Sequence, residues 1–248
     1  MSGRGQLKTS QHEEASMNTE HRNPRIAGAL LIGALSVFSL AGNAIEALPE
    51  YTPEGMKLLK QTDTRIVYAM EGAALSRYSK VALIECYVAF AKNWERDYNR
   101  SASFSQRIDA RDMEEIKQSI AGEFRKVFTE ELAERGHEVV EYSGADVVVI
   151  RPAIINLDVS APDTASAGFA DVIVRSAGSM TLYMELFDSP TSAIFARVID
   201  ARADRESFAA RANRVTNKAA ADRILRDWAR ELADHLGAAR EDTANRAE

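Results

Sequence analysis

Between Met113 and Leu132, seven apolar residues recur three or four positions apart: Met113, Ile116, Ile120, Phe124, Val127, Phe128 and Leu132. That spacing places them on one stripe of an α-helix. A stripe of this width is stable only when a sheet or a second helix covers it, so the chain must build a layered domain around it. The helix is expected over residues 112–135. Asp112 followed by Glu115 resembles a capping box with Asp in place of Ser or Thr, and Gly136 stands where a left-handed residue would stop the helix.

The cover is expected to come from strands. Residues 81–90 (VALIECYVAF) put Ile84, Cys86, Val88 and Phe90 on one face by the period of two. A short strand is expected over residues 137–142. Residues 147–159 (VVVIRPAIINLDV) form a near-continuous apolar run, the pattern of a strand covered on both faces. Pro152 cannot donate to a ladder, so a bulge or an edge is expected there. Met180, Leu182, Met184 and Leu186 alternate along residues 178–188. After the turn Ser189-Pro190-Thr191-Ser192, residues 193–203 return as the partner of a hairpin.

Ile224, Leu225, Trp228, Leu232 and Leu236 mark a final helix over residues 218–236, with Asn217 as cap and Gly237 as stop. The remainder is connection. Residues 45–77 read as an irregular lead-in, 94–105 as a polar and aromatic loop, and 161–177 as a long loop of small residues. Residues 204–216 read as a charged mobile segment, and 239–248 as a disordered polar tail. The order is strand, helix, several strands, helix. It points to an α+β fold: a mixed, mostly antiparallel sheet of about four to five strands with two main helices packed on it, in a single domain over residues 78–238.

The first 44 residues read as an address. Residues 26–42 (IAGALLIGALSVFSLAG) carry no charge and follow Arg22 and Arg25. A basic lead, an apolar run and a small-residue exit make a secretory signal, with cleavage expected after Ala44. A leader of about 15–30 residues fits a start at Met17 better than one at Met1. The run is short of the roughly 20 apolar residues a spanning helix needs, and it is broken by glycine and serine. Asn43 stands where a lipoprotein signal would place its lipidated cysteine, so no lipid anchor is expected. Membrane contact is assigned to the leader alone, and the product is expected to be soluble and periplasmic.

Charge and composition exclude several functions. The chain is 46% hydrophobic and 27% charged with a formal charge of −6. Taking the leader's four basic and three acidic residues from the totals of 31 and 37 leaves 27 and 34, a formal −7. Polyphosphate would be repelled on average, so nucleic acid is not an expected partner. The single cysteine rules out an internal disulfide and any multi-cysteine metal site. Phosphate-loop and dinucleotide-loop glycine patterns are absent, as is a G-x-S-x-G nucleophile elbow. No cofactor or metal is expected.

Individual residues carry weaker signals. Cys86 lies on an apolar face, where packing rather than nucleophilic chemistry is the expected role. His137 and His235 lack ligand neighbours in sequence and read as solvated surface residues. Glu85, Glu185, Asp188 and Asp200 lie on or beside predicted strands. Two of them at close range would form an acid/base pair; alone, they would sit on a solvated face with Arg197 or Arg202 as partners. The segment Trp94 to Arg100 (WERDYNR) is the expected binding site, through Trp94, Arg96, Tyr98 and Arg100. These residue types anchor interfaces and stack on sugars, while the competing reading folds Trp94 and Tyr98 back onto the domain.

Tyr78-Ser79-Lys80-Val81, Val88 to Trp94 and Arg96-Asp97-Tyr98-Asn99 resemble the bacterial domain-of-unknown-function family 3313. So do Gly178 to Leu182 with Glu185, Asp188-Ser189 and Thr191, then Ala196 to Asp200, and Asn217 with Trp228-Ala229. The similarity runs from about Tyr51 to Leu236. Ser192-Ala193 departs from the Gly-Glu usual in the family's turn, and Asn43 departs from its lipoprotein members. The resemblance implies an exported protein with no assigned activity, and it carries no site residues. Together these features point to a non-catalytic binding or envelope-assembly module, with an envelope protein or a glycan as partner. The alternatives are a carboxylate-based hydrolase of an envelope component, or a protein that self-associates through a sheet edge.

Overall fold

The computed structural model describes residues 48–159, 177–203 and 218–247. The leader and the connections at 160–176 and 204–217 lie outside them. Among the described residues the strands are β1 (Lys57–Gln61), β2 (Arg65–Ala69), β3 (Lys80–Leu83), β4 (Tyr87–Phe90), β5 (Glu138–Val140), β6 (Val147–Val159), β7 (Ala177–Asp188) and β8 (Ile194–Ala203). The helices are α1 (Trp94–Ser101), α2 (Ala110–Glu134) and α3 (Lys218–Ala247).

The fold is α+β, but among the described residues the sheet has eight strands rather than four or five, and a short third helix accompanies the two main ones. The order is β1-β2-β8-β7-β6-β3-β5, with β4 also paired to β6. The four pairings from β1 to β6 are antiparallel; β6 with β3, β6 with β4, and β3 with β5 are parallel.

Two of the extra strands form a hairpin inside the expected irregular lead-in. Its first strand, KLLKQ, is too polar to show a strand pattern, because it lies at the sheet edge with one side open to water. Lys57 and Lys60 on that edge, and the three-residue length of β5 at the other, are features that discourage edge-to-edge pairing.

A third strand arises because residues 81–90 are not continuous. β3 pairs with β6 through Leu83↔Ile150, and β4 resumes at Tyr87↔Ala153. The Ile150 carbonyl accepts from the Ile84 N–H at 2.9 Å, so residues of even number on this stretch of β6 turn their backbone groups toward β3 and β4. Pro152 is the next such residue, and it has no N–H to give. The neighbouring strand therefore breaks beside it. Toward β7 the register runs unbroken from Val148 to Ile155, so the bulge expected at Pro152 lies farther on, between Ile155 and Asp158, where Asn156 is left-handed (φ 52°).

The helices cover one sheet face. Met180, Leu182, Met184 and Leu186 of β7 share that face with Val148, Ile150 and Ile154 of β6, all buried. α2 lays Ile116, Ile120, Phe124, Val127, Phe128 and Leu132 over it, with the Phe124 and Phe128 rings stacked at 3.8 Å. Each such side chain contributes about 1.5–3 kcal/mol relative to exposure. The α2 cap is three residues earlier than expected. Asp109 accepts from the Arg111 and Asp112 amides, and Asp112 returns a bond to the Asp109 amide. At the other end Gly136 (φ 78°) donates to the Ala133 carbonyl and His137 to that of Leu132, which closes a Schellman stop.

α3 buries Ile224, Leu225, Trp228, Leu232 and Leu236 as expected. It does not stop at Gly237, which keeps a helical backbone; the helix continues to Ala247 through the expected tail. His235 is therefore three turns from the helix end, and it is exposed, as expected. His137 is 1% exposed, not a surface residue, and its Nε2 lies 3.2 Å from the Ala233 carbonyl on α3.

Candidate functional site

The segment expected as a loop at residues 94–105 begins with a helix. Asn93 enters α1 in the left-handed conformation (φ 63°), and Glu95 and Asp97 in the first turn with Arg100 in the last suit the helix dipole. An eight-residue helix shows too little periodicity to stand out from a polar loop.

This helix divides the four expected binding residues between two sides. Trp94 and Tyr98, four apart, stack at 5.4 Å, and Trp94 also stacks on Phe90 of β4 at 4.4 Å. The Trp94 Nε1–H donates to Asp158 on β6 at 3.2 Å, and the residue is 7% exposed. Burial pushes the Tyr98 hydroxyl pKa up. Arg96 and Arg100 lie on the other side and are exposed. Asp97 takes a hydrogen bond from Arg96 Nε at 3.0 Å and lies 3.9 Å from Arg100. The Arg96 hydrogen bond holds the Asp97 carboxyl below the usual range despite the cost of partial burial. The aromatic pair thus anchors α1 to the sheet, and the arginine pair faces water.

Beyond α1 the chain makes a tied loop. The Asn99 side chain donates to the Ile108 carbonyl at 2.7 Å and accepts from the Ile108 amide at 2.8 Å. At the apex stands Phe104, 89% exposed, in the short 3-10 turn Phe104–Gln106. The Arg107 guanidinium lies 5.9 Å from its ring centroid. Sequence reasoning did not single out Phe104. The available signal was a lone phenylalanine in a run of small polar residues; Ala102 two before it and Ile108 four after it do not extend into a strand or helix period.

The acids are placed for rigidity. Glu185 is 2% exposed on β7, facing away from the helices. It accepts from Arg151 of β6, from Arg197 of β8 at 2.9 Å and from the Tyr183 hydroxyl at 2.7 Å. Burial raises its pKa, but these bonds outweigh burial and hold it below the usual range. Asp188 is held low chiefly by the Thr191 hydroxyl at 2.5 Å, against burial, with help from the Tyr78 hydroxyl at 2.9 Å and from Arg77. Asp200, 3% exposed, lies under α3 and accepts from Arg65, from Arg202 Nη2 at 2.9 Å and from Trp228 Nε1 at 2.9 Å. Arg197 and Arg202 are thus partners of these acids, but in buried networks rather than on a solvated face. Glu85 is exposed in the break between β3 and β4.

Glu131 was not anticipated. It is 1% exposed on α2 and accepts from Arg135 at 2.7 Å and from Arg226 and Arg230 of α3 at 3.0 and 3.1 Å. A general acid needs a carboxyl whose pKa is raised toward the working pH. Glu131, Glu185 and Asp188 are shifted the opposite way. Cys86 is buried, and burial pushes its thiol up to about 12, far from a reactive thiolate. Among the described residues no cluster of three or more His, Cys, Asp or Glu is placed to hold a metal ion. Nor is any helix among them long and apolar enough to cross a membrane.

The description "Protein of unknown function (DUF3313)" matches residues 54–232, most of the chain. The chain belongs to this family. The match takes in α1, the tied loop, Glu131 and the four strand acids, so the arrangement described above lies within the family's domain. No curated protein matches. Two solved structures of PelC dodecamers from Paraburkholderia phytofirmans are similar, one of them a single-substitution variant. Both are 12% identical. The chain aligns over 68% of its length with 97% of the variant at a TM-score of 0.36, and over 69% with 96% of the other at 0.35.

Proposed function

We propose that this chain is an exported, non-catalytic binding or assembly module of the cell envelope, and that it meets its partner through the outer side of α1 and the tied loop. The observation that carries the reading is the projection itself. Arg96 and Arg100 point to water from a helix whose other side is anchored by Trp94 and Tyr98, and the same segment holds Phe104 out at 89% exposure. A rigid mount that displays arginine and an aromatic ring is the composition of an interface anchor. The uncharged run at residues 26–42, behind Arg22 and Arg25, supports export. The arginine-locked carboxylates weigh against the carboxylate hydrolase, because three of the four bury a charge held well away from proton transfer near neutral pH.

The test is a photo-reactive residue placed at Arg100 in living cells, followed by separation of envelope from cytoplasm. Trp94 is unsuitable because it is buried. The expected result is a chain beginning at Ile45 in the envelope fraction, crosslinked to an envelope protein or glycan. Recovery of the intact precursor in the cytoplasm, or turnover of an envelope substrate that survives loss of the α1 arginines, would overturn the reading.

A further inference from the structure

We propose that the Phe104 loop docks on an anionic phospholipid surface, the ring entering the membrane interface while the Arg100 and Arg107 guanidiniums meet lipid phosphates. The inference rests on the α1 projection being a contact surface, and it names the chemistry of what is contacted. The sequence assigns membrane contact to the leader only; this would be a second contact, made by the folded body.

The first support is exposure. Phe104 is 89% exposed, whereas aromatic side chains ordinarily bury most of their area. Its neighbours Ser101, Ala102 and Ser103 are small, and the Arg107 guanidinium lies 5.9 Å from the ring centroid. The second is preorganisation. Asn99 ties both backbone groups of Ile108, closing the loop at its base, so little order is left to impose on contact.

The third is charge. Between Asn99 and Ile108 the loop carries Arg100 and Arg107 and no acid, a formal +2 on a chain of −6. Of the flanking acids, Asp97 is hydrogen-bonded to Arg96 at 3.0 Å and lies 3.9 Å from Arg100, whose side chain stays 73% exposed, and Asp109 and Asp112 are engaged at the start of α2. Arginine meets phosphate through paired N–H donors, and cations near an anionic bilayer are each drawn to it. Area then separates a bilayer from a protein pocket. A specific protein interface takes about 800 Å² per partner, whereas one aromatic ring supplies about 150–250 Å². A bilayer needs no complementary shape.

The experiment uses the full chain with Phe104→Trp and vesicles of phosphatidylglycerol or phosphatidylcholine, with and without brominated acyl chains. The native indoles, Trp94 and Trp228, are 7% and 3% exposed, so a new signal belongs to position 104. Attachment through the leader alone does not bring position 104 into contact with the acyl chains. The expected result is a blue shift with phosphatidylglycerol and bromine quenching about twofold above the phosphatidylcholine level. Arg100→Glu with Arg107→Glu should bring that quenching down to the phosphatidylcholine level and weaken binding to phosphatidylglycerol vesicles on the order of tenfold or more. Equal quenching in both lipids, or none beyond that of the unsubstituted chain, overturns the lipid assignment. If the crosslink from Arg100 still recovers an envelope protein, the contact surface stands and only its lipid chemistry fails.

Discussion

Glu131→Ala asks whether one carboxylate ties α3 to α2. The Glu131 side chain is 1% exposed and holds three guanidiniums, one from its own helix and two from α3. Removing one partner of a fully buried pair costs about 3–5 kcal/mol, because the other charge is stranded. Here Arg135, Arg226 and Arg230 are 30%, 29% and 47% exposed, so they can turn to water once released. Arg226 also keeps Asp222 at 2.8 Å. What remains is the loss of charge-assisted bonds and of packing at the α2–α3 contact, about 2–3 kcal/mol. In a domain of this size that corresponds to a fall in Tm of about 5–10 °C. Glu131→Gln keeps the shape and an acceptor oxygen, so it is expected to cost about half as much.

The pH dependence adds a second reading of the same group. Burial raises the Glu131 pKa, but the bonds from Arg230, Arg226 and Arg135 win and lower it in the folded state. Stability from this group is therefore complete above the unfolded value of about 4.3 and is lost as pH falls through the lower folded value. Urea melts at pH 7 and at several points below pH 5 measure both effects. The unsubstituted protein should lose stability on acidification more steeply than Glu131→Gln. A Glu131→Ala protein within about 0.5 kcal/mol of the parent at pH 7, the range of an ordinary surface change, would refute the clamp.

Three further outcomes follow from single sites. Cys86, with a thiol pushed up to about 12, should resist a thiol reagent at pH 8 in the folded protein and react promptly in urea; prompt native labelling contradicts its burial. Gly136→Ala should cost about 1–2 kcal/mol from the left-handed backbone alone, since an added Cβ meets nothing within 4 Å; a smaller loss for Gly136→Asn in the same melt checks that cause. Asn99→Ala should raise the exchange rate of the Ile108 amide, whose partner it removes, at a stability cost of about 1–3 kcal/mol; unchanged exchange would show that the loop is held by other contacts.

What could be read in the chain follows the range of the interactions. The stripes of α2 and α3 and the inner face of β7 repeat at fixed spacing, so each is visible within a dozen residues. Glu131 was visible in principle, as an acid inside an apolar stripe, three after Phe128 and four after Val127. The arginine locks were not. Arg77 meets Asp188 across 111 positions, and Arg65 meets Glu231 across 166. No local pattern encodes such pairs. The split of residues 81–90 was hidden for the same reason, since its cause, Pro152, sits on another strand. Trp94, Arg96, Tyr98 and Arg100 were singled out by residue type alone, but the loop assignment concealed how α1 separates them by side, and it hid Phe104 altogether.

The locks also fix which parts of the molecule can vary at little cost. Glu131 joins α2 to α3. Asp200 joins β2 and β8 to α3, and Glu231 bridges the same arginines. Asp188 joins the β7–β8 turn to the turn at Leu75–Arg77. Glu185 joins β6, β7 and β8, and through Arg197 reaches Glu54 ahead of β1. Glu131, Asp188 and Asp200 reach elements otherwise held by non-directional packing, whereas Glu185 reinforces strands already joined by the β6–β7–β8 ladders. The tied loop lies outside this set, attached by Asn99 and, through α1, by Trp94 and its Asp158 bond. Stability and contact should therefore separate by position. Arg100→Ala and Phe104→Ser should leave the melting profile within about 0.5 kcal/mol of the parent while abolishing capture of the partner. Arg65→Ala should lower stability by about 2 kcal/mol or more, by stranding part of the Asp200 charge, and should leave partner capture by the surviving folded fraction intact. A loop substitution that unfolds the protein, or a lock substitution that removes contact without loss of stability, would show that the two are not built as separate parts.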